Sequence, residues 1–134
     1  MPEIAYSSPA CDFPAIINFG DSNSDTGGFS AAFGPFQPPN GESFFHMPAG
    51  RLSDGRLIID FIANSFGLPF LSSYLDSLGA NYSHGVDFAT VSSTIIDQNI
   101  SLSQGGYSPF YLAVQVMQFS QFIPRSQLVA KRGK

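Results

Sequence analysis

The sequence is poor in charge, and above all in positive charge. Only 12% of its 134 residues are charged, and six Lys and Arg face ten Asp and Glu, giving a net charge of −4. A protein that binds nucleic acid needs a basic surface to neutralise phosphates, so nucleic acid is not expected as a partner. The one basic cluster, 131–134, lies at the chain end and is interpreted as a solvated tail.

Long apolar runs and paired cysteines are also missing. No stretch approaches the roughly 18 apolar residues of a membrane-spanning helix. The first residues lack the apolar segment of a signal peptide. Cys11 is the single cysteine, so an internal disulfide is excluded. The chain is therefore predicted not to span a membrane, and neither a metal nor a cofactor is expected.

Enough hydrophobic material is present for one domain with a core, since 43% of the residues are apolar. The apolar run 14–17 leads into 18–28, which is rich in Asp, Asn, Ser and Gly. Such a run, ended by a glycine, predicts a buried parallel strand, here over 14–20. Ligands of open α/β sheets bind at the carboxyl ends of the strands. Ser22, just past this strand, is therefore the first candidate for chemistry.

An amphipathic helix is predicted in the middle of the chain. A long connection over 26–53, with one helical turn near 29–33, leads to it. Ser53 and Asp54 would cap the helix, and Gly67 would end it. The predicted core-facing stripe consists of Leu57, Ile58, Phe61, Ile62 and Phe66. The predicted polar stripe on the opposite side consists of Arg56, Asp60 and Asn64.

A second strand and a last helix complete the prediction. The strand covers 85–89, and a long loop over 90–108 follows it. Ser108 and Pro109 would begin the helix, and Pro124 would kink or end it. The pattern predicts an apolar stripe that faces the core, formed by Leu112, Val116, Phe119 and Ile123. It turns three glutamines away from the core, namely Gln115, Gln118 and Gln121.

Several interpretations fit the 18–28 stretch. As a nucleophile, Ser22 needs a general base and donors for an oxyanion, while Asp21 and Asp25 would hold the loop by accepting backbone N–H groups. The second interpretation is a calcium-binding loop, because Asp21, Asn23 and Asp25 match the first three ligand positions of that motif. The glycine and the final glutamate of the motif are missing. A phosphate-binding loop would need a glycine pattern and a lysine that are absent. A plain polar turn is the simplest alternative.

Three segments together resemble the plant-type GDSL esterases/lipases, a branch of the SGNH hydrolases. They are the block 19–28 (FGDSNSDTGG), the stretch 48–63 (PAGRLSDGRLIIDFIA) and the segment 85–90 (GVDFAT). The likeness keeps the family's order and runs from about Cys11 to about Ser126. Early-nodulin-like members are the most similar in pattern.

The resemblance implies a three-layer α/β/α SGNH-hydrolase (flavodoxin-like) fold, incomplete in this chain. Residues 1–12 would be a flexible lead-in and 13–134 the N-terminal part of one hydrolase domain. It also implies hydrolysis of carboxylic or lipid esters through an acyl-enzyme on Ser22, with a small-molecule or lipid ester as the partner. The family is usually secreted, so the sequons at Asn81 and Asn99 become candidate glycosylation sites.

The resemblance also assigns roles in the site. Ser22 would be the nucleophile and give one oxyanion N–H. Ser92 would give another from a position where the family has glycine. Asp87, in place of the family's usual Asn, is interpreted as structural. Four residues are expected to support the loop: Gly20, Asp21, Asp25 and Gly27.

Two parts of the family pattern have no counterpart in the sequence. These are the third block, G-x-N-D, and the final D-x-x-H that carries the base. His46 and His84 are both interpreted as surface or structural residues rather than as substitutes for that base. The chain is therefore expected to be truncated, and weakly active or inactive on its own. The alternative is a non-catalytic remnant that acts as a binding module.

Overall fold

The computed structural model describes residues 12–98 and 108–132. Cys11, Asn99 and the lead-in up to residue 11 lie outside the described residues. These described residues form five elements in chain order: β1 (Ile16–Asn18), α1 (Gly28–Phe33), α2 (Ile58–Ser65), β2 (Gly85–Asp87) and α3 (Leu112–Arg132).

The two strands pair in parallel, as a strand–helix–strand order predicts. Their register places Asn18 beside Asp87. Pairing continues past both strands, because the Thr90 N–H donates to the Gly20 carbonyl at 3.2 Å. On the other edge of β2, an isolated bridge joins Asp87 to Ser73. Because the strands are parallel, the loops that follow β1 and β2 both begin at the carboxyl ends of the strands.

Both strands are shorter than predicted. β1 covers three residues of the predicted 14–20, and β2 covers three of 85–89. Pro14 carries no backbone N–H for a ladder. Ile17 is 39% exposed, so β1 is covered less completely than a fully buried strand. β2 fits the expectation better, because all three of its residues are buried.

The helical turn predicted near 29–33 is α1. The connection around it is packed through aromatic rings rather than through regular structure. The Phe29 ring lies 4.9 Å from that of Phe33 and 5.3 Å from that of Phe36, measured between centroids.

The start and the buried face of α2 differ from the prediction. Leu57, not Ser53 or Asp54, is the N-cap residue, and the Leu57 N–H donates to the Asp60 carboxylate at 2.9 Å. Asp60, predicted on the polar side, is buried. The buried residues of the helix are Ile59, Asp60 and Ala63, whereas four residues of the predicted core stripe are exposed: Ile58, Phe61, Ile62 and Phe66.

The same two corrections apply to α3. It begins at Leu112 rather than at Pro109, and it continues through Pro124 to Arg132. Its buried residue is Gln115, which the periodicity had turned away from the core. Three of the four predicted core residues are exposed, namely Leu112, Val116 and Ile123. A hydrogen-bonding requirement, described below, decides which face of α3 is buried.

The packed interior has two parts. An aliphatic cluster joins Leu57 and Ile59 of the α2 region to Leu71, with Ile16 of β1 packed against it. An aromatic cluster joins α3 to the residues that follow both strands, and its rings are Phe19, Tyr74, Phe88, Phe119 and Phe122. In the part of the chain that the structure describes, no helix combines the length and apolar character needed to cross a membrane.

Candidate active site

Ser22 lies in a tight turn at the carboxyl end of β1. The Ser24 N–H donates to the Asp21 carbonyl at 3.1 Å, so Ser22 occupies the second position of a four-residue turn. The Asp21 carboxylate accepts the Asn23 N–H at 2.9 Å, which fixes the turn from its side. Ser22 is half-buried, and its hydroxyl makes no hydrogen bond to any described residue. Because Ser22 is the predicted nucleophile, residues 19–28 are called the nucleophile loop below.

Asp25 holds the second half of this loop. Its side chain is fully buried, and its Oδ1 accepts the N–H groups of Gly27 and Gly28 at 2.8 and 2.6 Å. Its Oδ2 accepts the Phe29 N–H at 3.1 Å and the Val91 N–H at 2.8 Å. Because Val91 follows β2, this one carboxylate ties the nucleophile loop to the loop after the second strand.

Asp87, the last residue of β2, makes a second connection between the same two loops. Its Oδ1 accepts the Asn18 amide at 2.6 Å and the Ala89 N–H at 2.9 Å. Its Oδ2 accepts the Thr26 N–H at 2.8 Å and the Thr26 hydroxyl at 2.9 Å. Burial raises the pKa of Asp87 to about 6, although these four hydrogen bonds act in the opposite direction.

Gln115 of α3 makes a third connection, which sequence reasoning missed. Its Oε1 accepts the Gly20 N–H at 3.0 Å, and its Nε2 donates to the Gly20 carbonyl at 2.8 Å. Nε2 also approaches the Phe110 carbonyl at 2.9 Å and the Ser93 hydroxyl at 3.1 Å. The available signal is a single glutamine between Val114 and Val116, which is too weak to identify the contact in advance.

Ser92 lies in a turn against these connections. The Ser93 N–H donates to the Thr90 carbonyl at 3.1 Å, and Ser92 has a φ of 63°. Positive φ at the third residue is the arrangement of a type II turn, which favours glycine there. The Ser92 N–H donates to no described residue, so this backbone donor is available to a ligand. The structure thus brings the two predicted oxyanion segments together, through Asp25–Val91 and Gln115–Ser93.

The 48–63 stretch packs against the nucleophile loop from another side. Gly50 has a φ of 76°, and a Cβ on it would lie 2.8 Å from the Gly27 Cα. Arg51 then forms a buried two-point pair with Asp60, through Nε at 2.8 Å and Nη2 at 2.6 Å. The pair fastens the segment that contacts Gly27 to the first turn of α2.

Neither histidine is placed as a base for Ser22. His84 precedes β2, and its ring lies 3.2 Å from the Pro14 carbonyl, at the amino ends of both strands. Ser22 lies past the carboxyl end of β1, so the sheet separates the two residues. His46 is exposed in the 41–50 loop, and no hydrogen bond of its ring to a described residue is found.

The geometry of Asp25 contradicts the calcium-loop interpretation. Both oxygens of the Asp25 carboxylate point at backbone donors and are buried, so they are not free to bind a cation. Across residues 12–98 and 108–132, no group of three or more His, Cys, Asp or Glu side chains is arranged to hold a metal ion.

Two cavities frame the site. A cleft of about 370 Å³ opens beside the nucleophile loop, between Gly20, Asp21 and Ser24 on one side and Thr94, Ile95 and Leu112 on the other. A larger cavity of about 870 Å³ lies toward the amino ends of the strands, beside Tyr82 and the second half of α3. Of these two, the first adjoins the loop that carries Ser22, and a third cavity of about 320 Å³ reaches that loop at Thr26.

Comparison with known proteins identifies the family. The family profile "GDSL-like Lipase/Acylhydrolase" matches residues 16–133. An "Esterase" of Hevea brasiliensis is 64% identical over 99% of this chain and 34% of its own length. "Alpha-L-fucosidase 3" of Arabidopsis thaliana is 63% identical over 92% of this chain and 33% of its own length. "GDSL esterase/lipase ENOD8" of Medicago truncatula is 51% identical over 96% of this chain and 33% of its own length.

The chain thus spans about one third of the curated relatives that it matches. No solved structure matches it. The match to the family profile covers almost the whole chain, from the first strand to the end of α3. This protein belongs to the GDSL-like lipase/acylhydrolase family.

Proposed function

We propose that this chain is the N-terminal part of an ester hydrolase whose acyl-accepting nucleophile is Ser22. The observation that carries the proposal is the turn at the carboxyl end of β1, where the half-buried Ser22 hydroxyl has no partner among the described residues. A relative named an esterase, 64% identical to this chain, supports the same reaction class. The complete domain would be the three-layer α/β/α fold of the SGNH hydrolases, with residues 13–134 as its first part.

In the proposed reaction, the Ser22 Oγ attacks the ester carbonyl carbon while its proton passes to a base. The bond to the alcohol breaks, the alcohol leaves with that proton, and water then releases the acid from the acyl-enzyme. The carbonyl oxygen becomes an oxyanion in each step. The backbone N–H groups of Ser22 and Ser92 would stabilise it.

The general base is the part of this machinery that the 134 residues do not supply. The family resemblance assigns it to the histidine of a D-x-x-H motif, which the sequence does not contain. Removing the base from a serine hydrolase lowers the turnover rate by about 10⁶-fold. We therefore expect this chain alone to be weakly active or inactive.

The substrate would be a small-molecule or lipid ester, bound in the cleft beside the nucleophile loop. Phe19, Ile95 and Leu112 contribute apolar surface to it, while Asp21 and Ser24 line it near Ser22. Secretion and glycosylation belong to the same proposal. Asn81 is exposed, as an acceptor must be, and its side chain is hydrogen-bonded to Ser83 of its own sequon.

A glycoside is the one rival substrate class, because a relative with 63% identity is named an alpha-L-fucosidase. Glycosidases usually place two carboxyl groups across a cleft. Asp21 is the one carboxylate among the described residues that line the cleft beside Ser22. Asp25, Asp60 and Asp87 are buried and engaged in hydrogen bonds. The arrangement supports an ester over a glycoside.

A chimera tests the proposal. This chain replaces the matching third of the Hevea esterase, and hydrolysis of a p-nitrophenyl acyl ester is measured beside a p-nitrophenyl fucoside. We expect ester hydrolysis that Ser22→Ala lowers by about 10⁴-fold or more. Ser65→Ala, a control at an exposed serine of α2 outside the cleft lining, should change it by less than about tenfold. Ester hydrolysis that persists in a folded Ser22→Ala chimera would contradict the proposal.

A further inference from the structure

Gln115 lies far from Ser22 in sequence, yet its amide is bonded to the backbone just before the nucleophile. The side chain is 1% exposed, although glutamine is seldom fully buried. Its Oε1 and Nε2 engage the N–H and the carbonyl of the same residue, Gly20, at 3.0 and 2.8 Å. A neighbouring strand bonds a residue in this two-point manner.

The position of this contact explains why a side chain is used. Gly20 lies two residues past the end of β1, where the pairing with the β2 segment continues. Its carbonyl accepts the Thr90 N–H at 3.2 Å. The Gln115 amide bonds the same carbonyl and also the Gly20 N–H, as a neighbouring strand would. Gly20 is thus held by both Thr90 and Gln115, two residues before Ser22.

The same amide reaches the Ser92 turn. Its Nε2 lies 3.1 Å from the Ser93 hydroxyl, and that hydroxyl donates to the Phe110 carbonyl at 2.9 Å. Since Nε2 carries two protons and has three acceptors, at least one proton is shared. One buried side chain therefore sets the distance between the segment before Ser22 and the turn that carries Ser92.

We propose that Gln115 is a positioning residue: it mimics a strand beside Gly20 and so fixes the nucleophile loop relative to the Ser92 turn. The expected effect of Gln115 on the reactivity of Ser22 rests on the function proposed above. The bonding itself does not depend on that function. The two can therefore fail separately.

Amide hydrogen exchange by NMR on the full 134-residue chain tests the bonding. The Gln115 Oε1 is the acceptor of the Gly20 N–H, so Gln115→Met, which keeps the shape and removes both hydrogen-bonding groups, should speed Gly20 exchange at least tenfold. Gln121→Met, at an exposed position of the same helix, should leave Gly20 unchanged. Unchanged Gly20 exchange in a folded Gln115→Met chain would overturn the proposal.

The unaltered chain gives a second readout that requires no variant to fold. The Gln115 side-chain amide protons should exchange at least tenfold more slowly than those of Gln121. Equal rates would overturn the proposal. A uniform rise in exchange across β2 in Gln115→Met, with no excess at Gly20, would equally overturn it, because a merely structural role predicts that pattern.

Reactivity supplies the last arm. In the chimera with the Hevea esterase, labelling of Ser22 by a fluorophosphonate should be at least tenfold slower in Gln115→Met than in the unaltered chimera and in Gln121→Met. Equal labelling rates would overturn the positioning role. If Ser22 of the unaltered chimera is not labelled, the proposed function fails, while the exchange experiments still decide whether Gln115 positions Gly20.

Discussion

Two buried carboxylates, Asp60 and Asp87, are held by different chemistry. Asp60, in the first turn of α2, faces the guanidinium of Arg51 in a two-point ion pair. Asp87, at the end of β2, has neutral donors on both oxygens. Both side chains are almost inaccessible to water. The region around Asp60 is thus stabilised by a buried ion pair, whereas the carboxylate of Asp87 is buried without a cation.

The consequence lies in how each region responds to change. A buried ion pair is compensated as long as both partners are present, and it becomes costly when one is removed. A buried carboxylate with neutral donors is geometrically satisfied, but its charged form remains desolvated, which raises the pKa of Asp87. The Arg51 region should therefore be sensitive to mutation, and the nucleophile loop to pH as well.

The largest expected effect comes from breaking the ion pair. Asp60→Ala leaves the buried Arg51 cation without its partner and should lower the free energy of unfolding by about 3–5 kcal/mol. The measurement is urea denaturation at pH 7. Asp54→Ala removes an exposed carboxylate six residues earlier and should change stability by less than about 0.5 kcal/mol. Equal losses in the two variants would contradict the account.

The next effect sharpens the comparison through pH. Because the folded pKa of Asp87 is about 6, against an ordinary 3.8, the folded state binds this proton more tightly than the unfolded state. The resulting stabilisation is fully present below about pH 4 and is lost as the pH rises through 6. At about 1.4 kcal/mol per pKa unit, it amounts to about 3 kcal/mol.

The variant Asp87→Asn isolates this contribution from the other carboxylates. The free energy of unfolding is measured at intervals from pH 4 to 7 for both chains. We expect the difference between the unaltered chain and Asp87→Asn to shift by about 2 kcal/mol across that range, in favour of the unaltered chain at low pH. Parallel profiles would show that Asp87 does not titrate in this window.

The smallest effect concerns the backbone of the second loop. Ser92 has a φ of 63°, and a non-glycine residue in this region is strained by about 1–2 kcal/mol. Ser92→Gly should therefore raise stability by about 0.5–1 kcal/mol, after allowance for the greater freedom of glycine in the unfolded chain. Ser77→Gly, at an exposed position without positive φ, should lower it slightly. A loss of stability in Ser92→Gly would contradict the strain.

The sequence predicts the outline of the fold because local signals agree with it. An apolar run ended by glycine located β1, the 85–89 pattern located β2, and their parallel pairing followed from the helix between them. The expectation that Asp25 accepts backbone donors follows from ordinary turn chemistry, and the structure shows four such bonds.

The buried faces of both long helices were not predictable by the same means. Periodicity assumes that apolar side chains decide which face is covered, but α2 is oriented by the Arg51–Asp60 pair and α3 by the Gln115 amide. In both helices a polar group with a long-range partner occupies the core position. That partner lies 9 residues away for Asp60 and 95 for Gln115, which no local pattern reveals.

The most direct test of the central claim maps the reactive residue in the chimera with the Hevea esterase. The folded chimera is treated with a fluorophosphonate and digested, and the modified peptide is sequenced by mass spectrometry. The account predicts one phosphonyl group on Ser22, absent in Ser22→Ala and retained in Ser65→Ala. Modification of a different serine, with Ser22 unlabelled, would contradict it.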